Sequence, residues 1–253
     1  LWTSPGYINI VSSPTVAGGL VYVGSEDSNV HCFNATTGAK VWYYLTGSQV
    51  GPAPAVSGGL VYAGSLDKKI YCLNAITGVL VWSYTTDYWV RSSPAVADGK
   101  VYVGSCDNKV YCLNATTGAH IWDYATGGWV FSSPAVVGGL VYVGSTDDRI
   151  YCLNAATGGL VWSYAAVSSV WSSPAVVGGF VYVGSNDGKI YCLNAATGSL
   201  VWSYTTGSYV YSSPTVVDGF VYVGSWIGNV YCLNAATGEV IWSYTTGGFV
   251  KDS

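Results

Sequence analysis

Three kinds of side chain in this 253-residue sequence could do chemistry: seven cysteines, a periodic set of aspartates, and two histidines. Cys32, Cys72, Cys112, Cys152, Cys192 and Cys232 recur every 40 residues. Equal spacing puts each at the same place on a repeated strand, and strand spacing sets neighbouring copies about 15 Å apart. A disulfide needs Cα atoms within about 7 Å, so these six read as unpaired, buried thiols that fill space. Cys106 stands outside the series, in a turn, and is expected to be exposed. Asp27, Asp67, Asp107, Asp147 and Asp187 are also in register and invite a calcium reading. Each, however, sits at a tight turn that an Asp side chain can cap. Lys69, Lys109, Arg149 and Lys189 follow two positions later, so capping with a local ion pair is the expectation. In the sixth repeat Ile227 and Asn229 replace both partners. His31 occupies a column otherwise held by Tyr71, Tyr111, Tyr151, Tyr191 and Tyr231, and His120 a mostly aliphatic one. No nucleophile or carboxylate is expected beside either, so no catalytic triad is expected. Nor is a metal site or a cofactor.

The elements that must hold these residues follow from the same period. Pro14, Pro54, Pro94, Pro134, Pro174 and Pro214 share it, as do Trp42, Trp82, Trp122, Trp162, Trp202 and Trp242, with Trp2 one period upstream. Within one repeat, four short runs rich in Val, Ile, Tyr and Trp are bounded by Gly, Asn, Asp or Thr. In the fourth repeat they are 130–137, 140–145, 149–154 and 160–165. Four strands per period of about 40 residues predict an all-β, six-bladed β-propeller of four-stranded antiparallel blades. The even period leaves no room for a linker, so residues 1–253 are expected to form a single domain. The chain starts at Leu1, contains no Met and shows no signal segment, which suggests a domain cut from a longer chain. Only 9% of residues are charged and the net charge is −4. That argues against nucleic acid as a partner. The longest apolar stretches are broken by pairs such as Gly138–Gly139, so no membrane span is expected.

The segment Leu153-Asn154-Ala155-Ala156-Thr157-Gly158-Gly159-Leu160-Val161-Trp162 resembles the tryptophan-docking motif of pyrroloquinoline quinone (PQQ)-type propeller repeats. That family includes quinoprotein alcohol dehydrogenases and an outer-membrane assembly lipoprotein of Gram-negative bacteria. The resemblance implies that each periodic Trp packs on the turn of a neighbouring blade, and it implies an extracytoplasmic or cell-surface location. Quinone-dependent relatives use an adjacent cysteine pair, a calcium site of Glu, Asn and Asp, and an Asp base. This sequence has no Cys-Cys pair, six repeats where those enzymes have eight, and no inserted loops. Asn34, Asn74, Asn114, Asn154, Asn194 and Asn234 stand where the family usually has Asp. Asn34-Ala35-Thr36 and Asn114-Ala115-Thr116 are glycosylation sequons, but they fall in that docking turn and read as structural.

The repeats disagree at three columns. One reads Val11, Gly51, Arg91, Phe131, Trp171, Tyr211; a second Glu26, Leu66, Cys106, Thr146, Asn186, Trp226; a third Asn9, Gln49, Trp89, Trp129, Ser169, Tyr209. Between the first and third lies an almost uniform Ile10, Val50, Val90, Val130, Val170, Val210. Alternating strand direction brings all three variable columns to one face, while the turns of the other face are monotonous. Trp89, Trp129, Trp171 and Trp226 fall in these columns with Tyr209, Tyr211 and Phe131, all off the docking position. Clustered accessible aromatics suit an interface or a sugar-binding surface. Drift at surface loops and core filling at a channel mouth are the competing explanations. The expected ligand site is therefore Trp89, Arg91, Trp129, Phe131, Trp171, Tyr209, Tyr211, Trp226, Glu26 and Asn186. The expected function is non-enzymatic binding of a protein, peptide or glycan by a monomer. A purely structural or synthetic symmetric scaffold is the alternative, and a PQQ-dependent dehydrogenase comes third. Fourth strands outnumber blades by one. The copy at Val240 is favoured over Leu1–Ser4 to complete the last blade, because Pro5 and Gly6 break the N-terminal one.

Overall fold

The chain turns wherever glycine or asparagine permits it, and each pair of turns frames one hairpin. The structure, a computed structural model, describes residues 9–250. In blade one the strands Thr15–Ala17, Leu20–Gly24, Asn29–Asn34 and Lys40–Leu45 pair antiparallel in sequence order. The same order repeats through blade six, which comprises Thr215–Val217, Phe220–Ser225, Asn229–Asn234 and Val240–Thr245. The protein is thus a six-bladed β-propeller of four-stranded antiparallel blades. The two-residue turn between first and second strands needs positive φ at both positions. Gly18 and Gly19 supply 57° and 77°, and in blade three Asp98 and Gly99 supply 49° and 69°. Between third and fourth strands the Asn side chain makes the turn: Asn34 Oδ1 accepts the N–H groups of Thr36 (3.0 Å) and Thr37 (2.9 Å).

The residue contacts divide the chain between Asp123 and Tyr124 into two units, and each holds its blades by the same devices. In the first unit the Trp42 indole and the Tyr22 hydroxyl both donate to the Ala75 carbonyl of the next blade, at 2.9 and 3.2 Å. Trp82 and Tyr62 do likewise to Ala115. In the second unit Trp162 and Tyr142 converge on Ala195, and Trp202 and Tyr182 on Ala235. A glycine lies flat beneath each indole: a Cβ on Gly78 would come within 2.6 Å of the Trp42 ring. Tyr22, Val30, Cys32, Val50, Val61 and Leu73 fill the interior between blades one and two. All seven cysteines are free and buried.

The uniform valine column has its own cause. Val50 is fully buried, and its N–H donates to the Ser25 carbonyl of the preceding blade at 3.0 Å. It stands against Gly24, where an added Cβ would come within 2.4 Å of the Val50 backbone oxygen. In the second unit Val170 and Val210 repeat this against Gly144 and Gly184.

Two expectations about the chain ends meet different outcomes. Val240–Thr245 pairs with Asn229–Asn234 and completes its own blade. Its Trp242 is nonetheless 44% exposed, where the five preceding copies are at most 9%. The competing strand Leu1–Ser4, and the Pro5–Gly6 break after it, lie outside the described residues.

Candidate functional site

The three variable columns are built by one backbone scheme. In each blade the N–H of the second column donates to the carbonyl of the third: Glu26 to Asn9 at 3.0 Å, Cys106 to Trp89 at 2.8 Å, Trp226 to Tyr209 at 2.8 Å. Extended backbone alternates direction. From Val50 to Val210 the central valine is buried, while the residues on both sides of it are half-buried or exposed; Ile10, its counterpart in the first blade, is exposed. Each second-column N–H and third-column carbonyl is thereby satisfied within the protein.

In the second unit those side chains form an unbroken run of rings. Trp129 meets Phe131 edge-on at 5.6 Å, Phe131 meets Trp171 at 4.9 Å, and Trp171 meets Tyr211 at 5.2 Å. Tyr211 also touches Tyr209 at 5.6 Å and Trp226 at 5.2 Å. Trp226 stacks on Phe249 at 4.6 Å. Trp129, Trp171 and Tyr209 are 45%, 42% and 50% exposed, while Phe131, Tyr211 and Trp226 are half-buried. Burial, with Tyr209 beside it, raises the Tyr211 phenol above its ordinary pKa. Thr146, Ser169 and Asn186 complete these columns, and Asn186 Oδ1 is buried without a hydrogen-bond partner. Phe249 is missing from the expected site although it lies one period beyond Tyr209, and following the third column for a seventh step would have found it.

The first unit fills the same columns differently. Glu26 and Arg91 are exposed and line a cavity of about 300 Å³ with Val11, Gln49, Gly51, Pro52 and Leu66. Asn9 donates its side-chain amide to Glu26. Arg91 lies over the Trp89 ring at 5.3 Å, and Trp89 packs on Tyr88 at 4.8 Å. Trp89, the fourth tryptophan of the columns, is half-buried.

Several sequence expectations need correction. Cys106 is buried at 3% exposure; desolvation pushes its thiol up to about 11, although the nearby Arg91 charge works the other way. A turn position does not imply exposure when the side chain is short and folds inward. The aspartates cap turns as expected, but their side-chain partners are tyrosines. Asp67 accepts the Lys69 N–H on Oδ1 at 3.0 Å, and on Oδ2 the Tyr71 hydroxyl at 2.5 Å and the Gly47 N–H of the preceding blade at 2.6 Å. No Asp–Lys or Asp–Arg pair of the expected kind occurs among the described residues; Lys109 reaches Asp123 instead, at 3.6 Å. The histidines do have carboxylates beside them. His31 replaces the tyrosine and meets Asp27 at 2.8 Å, and His120 meets Asp123 at 2.9 Å. Desolvation raises the Asp27 pKa, but hydrogen bonds from His31, Ser25 and Asn29 outweigh it and the net shift is downward. His31 Nδ1 has no partner, so no hydroxyl or thiol is placed for it to activate. In blade six, where Ile227 removes the carboxylate, the Tyr231 hydroxyl donates to the Thr206 carbonyl at 3.0 Å. Among the described residues, no three His, Cys, Asp or Glu side chains gather to hold a metal. No helix among them is long and apolar enough to cross a membrane.

A repeat propeller with a constant framework and variable outward columns is the class these features define. The chain belongs to the family described as the β-propeller of the beta-alanine-activating enzyme, whose profile matches residues 10–219. In fold it is similar to BamB from Moraxella catarrhalis, at 22% identity and a TM-score of 0.86 over 96% of this chain and 78% of that one. It is also similar to the computationally designed Ika8 protein, at 16% identity and a TM-score of 0.74 over 98% of this chain and 90% of that one. No curated protein sequence matches the chain.

Proposed function

We propose that this protein is a non-enzymatic recognition module, a single propeller domain that binds a protein, peptide or glycan through its variable columns. The residues assigned to the ligand are Trp89, Arg91, Trp129, Phe131, Trp171, Tyr209, Tyr211, Trp226, Glu26 and Asn186. The observation that carries the reading is the unbroken run of rings from Trp129 to Phe249, with Trp129, Trp171 and Tyr209 each at least 42% exposed. Leaving such area in water is unfavourable by roughly 25 cal/mol per Å², and large exposed apolar patches mark interaction surfaces. Drift at loops does not place consecutive aromatics in ring contact. The Trp42–Gly78 geometry and its repeats support reading the periodic tryptophans as the docking motif of PQQ-type repeats. With them comes the extracytoplasmic location which that resemblance implies.

The alternative is a purely structural repeat scaffold. It is favoured by the sameness of the blade-to-blade hydrogen bonds and by the likeness to a designed protein. Paired glycan and peptide arrays probed with the whole chain separate the two. Recognition expects a ligand whose binding quenches or shifts tryptophan emission and is lost in Trp171→Ala; a chain silent on both arrays is a scaffold.

A further inference from the structure

We propose that the ring run of blades four to six binds an uncharged oligosaccharide, an inference that rests on the recognition reading above. Charge selects first. The nine column residues of this unit are Trp129, Phe131, Thr146, Ser169, Trp171, Asn186, Tyr209, Tyr211 and Trp226, and none is ionised at neutral pH. An anionic ligand would be desolvated there with no counter-charge, which is costly, and the carboxylate that touches the columns, Asp148, already accepts from Ser169 at 3.4 Å.

Backbone geometry disfavours the commonest peptide mode. An extended peptide adds to a sheet through free N–H and C=O groups, but Thr146 N–H is spent on Trp129 O, Asn186 N–H on Ser169 O and Trp226 N–H on Tyr209 O. Ring spacing excludes the next. Proline-rich helices seat their rings in grooves between aromatic walls. Here neighbouring centroids are 4.6 to 5.6 Å apart, which is ring contact and leaves no slot.

What remains is a bank of aromatic faces with hydrogen-bonding edges. The face of an aromatic ring is negative and attracts the polarised C–H groups of one side of a sugar ring. Sugar hydroxyls then find the Tyr209 and Tyr211 hydroxyls and the indole N–H groups of the exposed Trp129 and Trp171. The exposed rings of Trp129 and Trp171 are the platforms, and Phe131, half-buried and in contact with both, fixes their spacing.

The test is a fluorescence and calorimetric titration of the whole chain with cellohexaose, hexa-N-acetylchitohexaose and maltohexaose, beside hexagalacturonate and a decaproline peptide. Binding of at least one neutral hexasaccharide is expected, tightening with chain length. It should weaken about tenfold or more in Trp171→Ala, as for a central aromatic anchor, and survive in Trp171→Phe. Circular dichroism checks that both variants fold, and Lys40→Ala, on the exposed outer strand of blade one, should bind unchanged. Preference for hexagalacturonate or decaproline overturns the proposal. So does an array peptide or protein lost in Trp171→Ala, although recognition then stands. Silence of every sugar and every array overturns both.

Discussion

The variable columns of Leu1–Asp123 and those of Tyr124–Ser253 share every backbone hydrogen bond described above and almost no side-chain chemistry. The first set carries Glu26, Arg91 and Gln49 around a cavity with Gly51 in its wall. The second carries no charge and packs ring on ring. Equal frameworks beneath unequal surfaces show that framework and surface are separate in this fold. The buried valine and the blade-to-blade donors hold the loop whatever its neighbours are, so each outward position is free to vary.

That separation is open to attack, first through groups common to both units. Burial pushes Cys32, Cys106, Cys112 and Cys192 up to about 11, and Cys72 and Cys152 to about 12. A free thiol titrates near pH 8.5. Between that value and the folded one the unfolded chain has lost protons that the folded chain keeps. Stability from these groups is therefore whole below about pH 8.5 and falls as pH rises toward 11. Urea melts followed by far-UV circular dichroism should show the midpoint dropping steeply above about pH 9, with both units lost together. A flat profile to about pH 10.5 would mean that the thiols are not buried in the folded protein.

The next attack is local. Trp82→Ala and Trp162→Ala each remove a buried indole and its bond to an alanine carbonyl. Each should cost about 3–5 kcal/mol, the same in the two units, whereas the display variant Trp171→Ala should cost under about 1 kcal/mol. Unequal framework costs, or a display cost as large as a framework one, would break the comparison.

The 40-residue period, the second, third and fourth strands and the uniform valine could be read from the sequence, because each is a local preference repeated six times; the first strand is shorter than the expected 130–137, since only Ala135–Val137 pairs. What escaped reading lies between repeats. That Asp67 reaches back to the Gly47 N–H of the blade before is a contact between neighbouring elements, and spacing along one repeat does not record it. The Asp–Lys spacing suggested an ion pair, yet the tyrosine four positions after the Asp is the side chain that reaches it. Cys106 is buried against expectation because a turn position says nothing about which way a short side chain folds. The aromatic columns are legible as a departure from the repeat, but the ring-to-ring contacts that join Trp129 to Phe249 depend on how neighbouring blades pack.

The aspartate clamps allow a finer comparison. Asp67 in the first unit and Asp187 in the second each accept two backbone N–H groups and one phenol. Asp67→Asn or Asp187→Asn turns one acceptor oxygen into an NH₂ group facing donors. The expected cost is about 1–3 kcal/mol each in urea melts, again equal between units. No measurable change would show that the clamp is dispensable throughout, as it already is in blade six.

The smallest expected effect is the sharpest test of separation. Gly51 holds the position taken by Trp171 and Tyr211 in the other unit, and a Cβ added to it meets nothing within 4 Å. Its neighbours Val50 and Pro52 are buried, so residue 51 points outward between two fixed points. A tryptophan there would project into the cavity between Glu26 and Arg91, replacing water rather than protein. If framework and surface are independent, Gly51→Trp should alter stability by no more than about 0.5 kcal/mol. It should also leave the urea slope unchanged and add a partly solvent-exposed tryptophan emission. A loss above about 2 kcal/mol would mean that the column residues help to hold the valine in place. The aromatic run of the second unit would then have to be read as core that happens to be exposed rather than as a surface for a ligand.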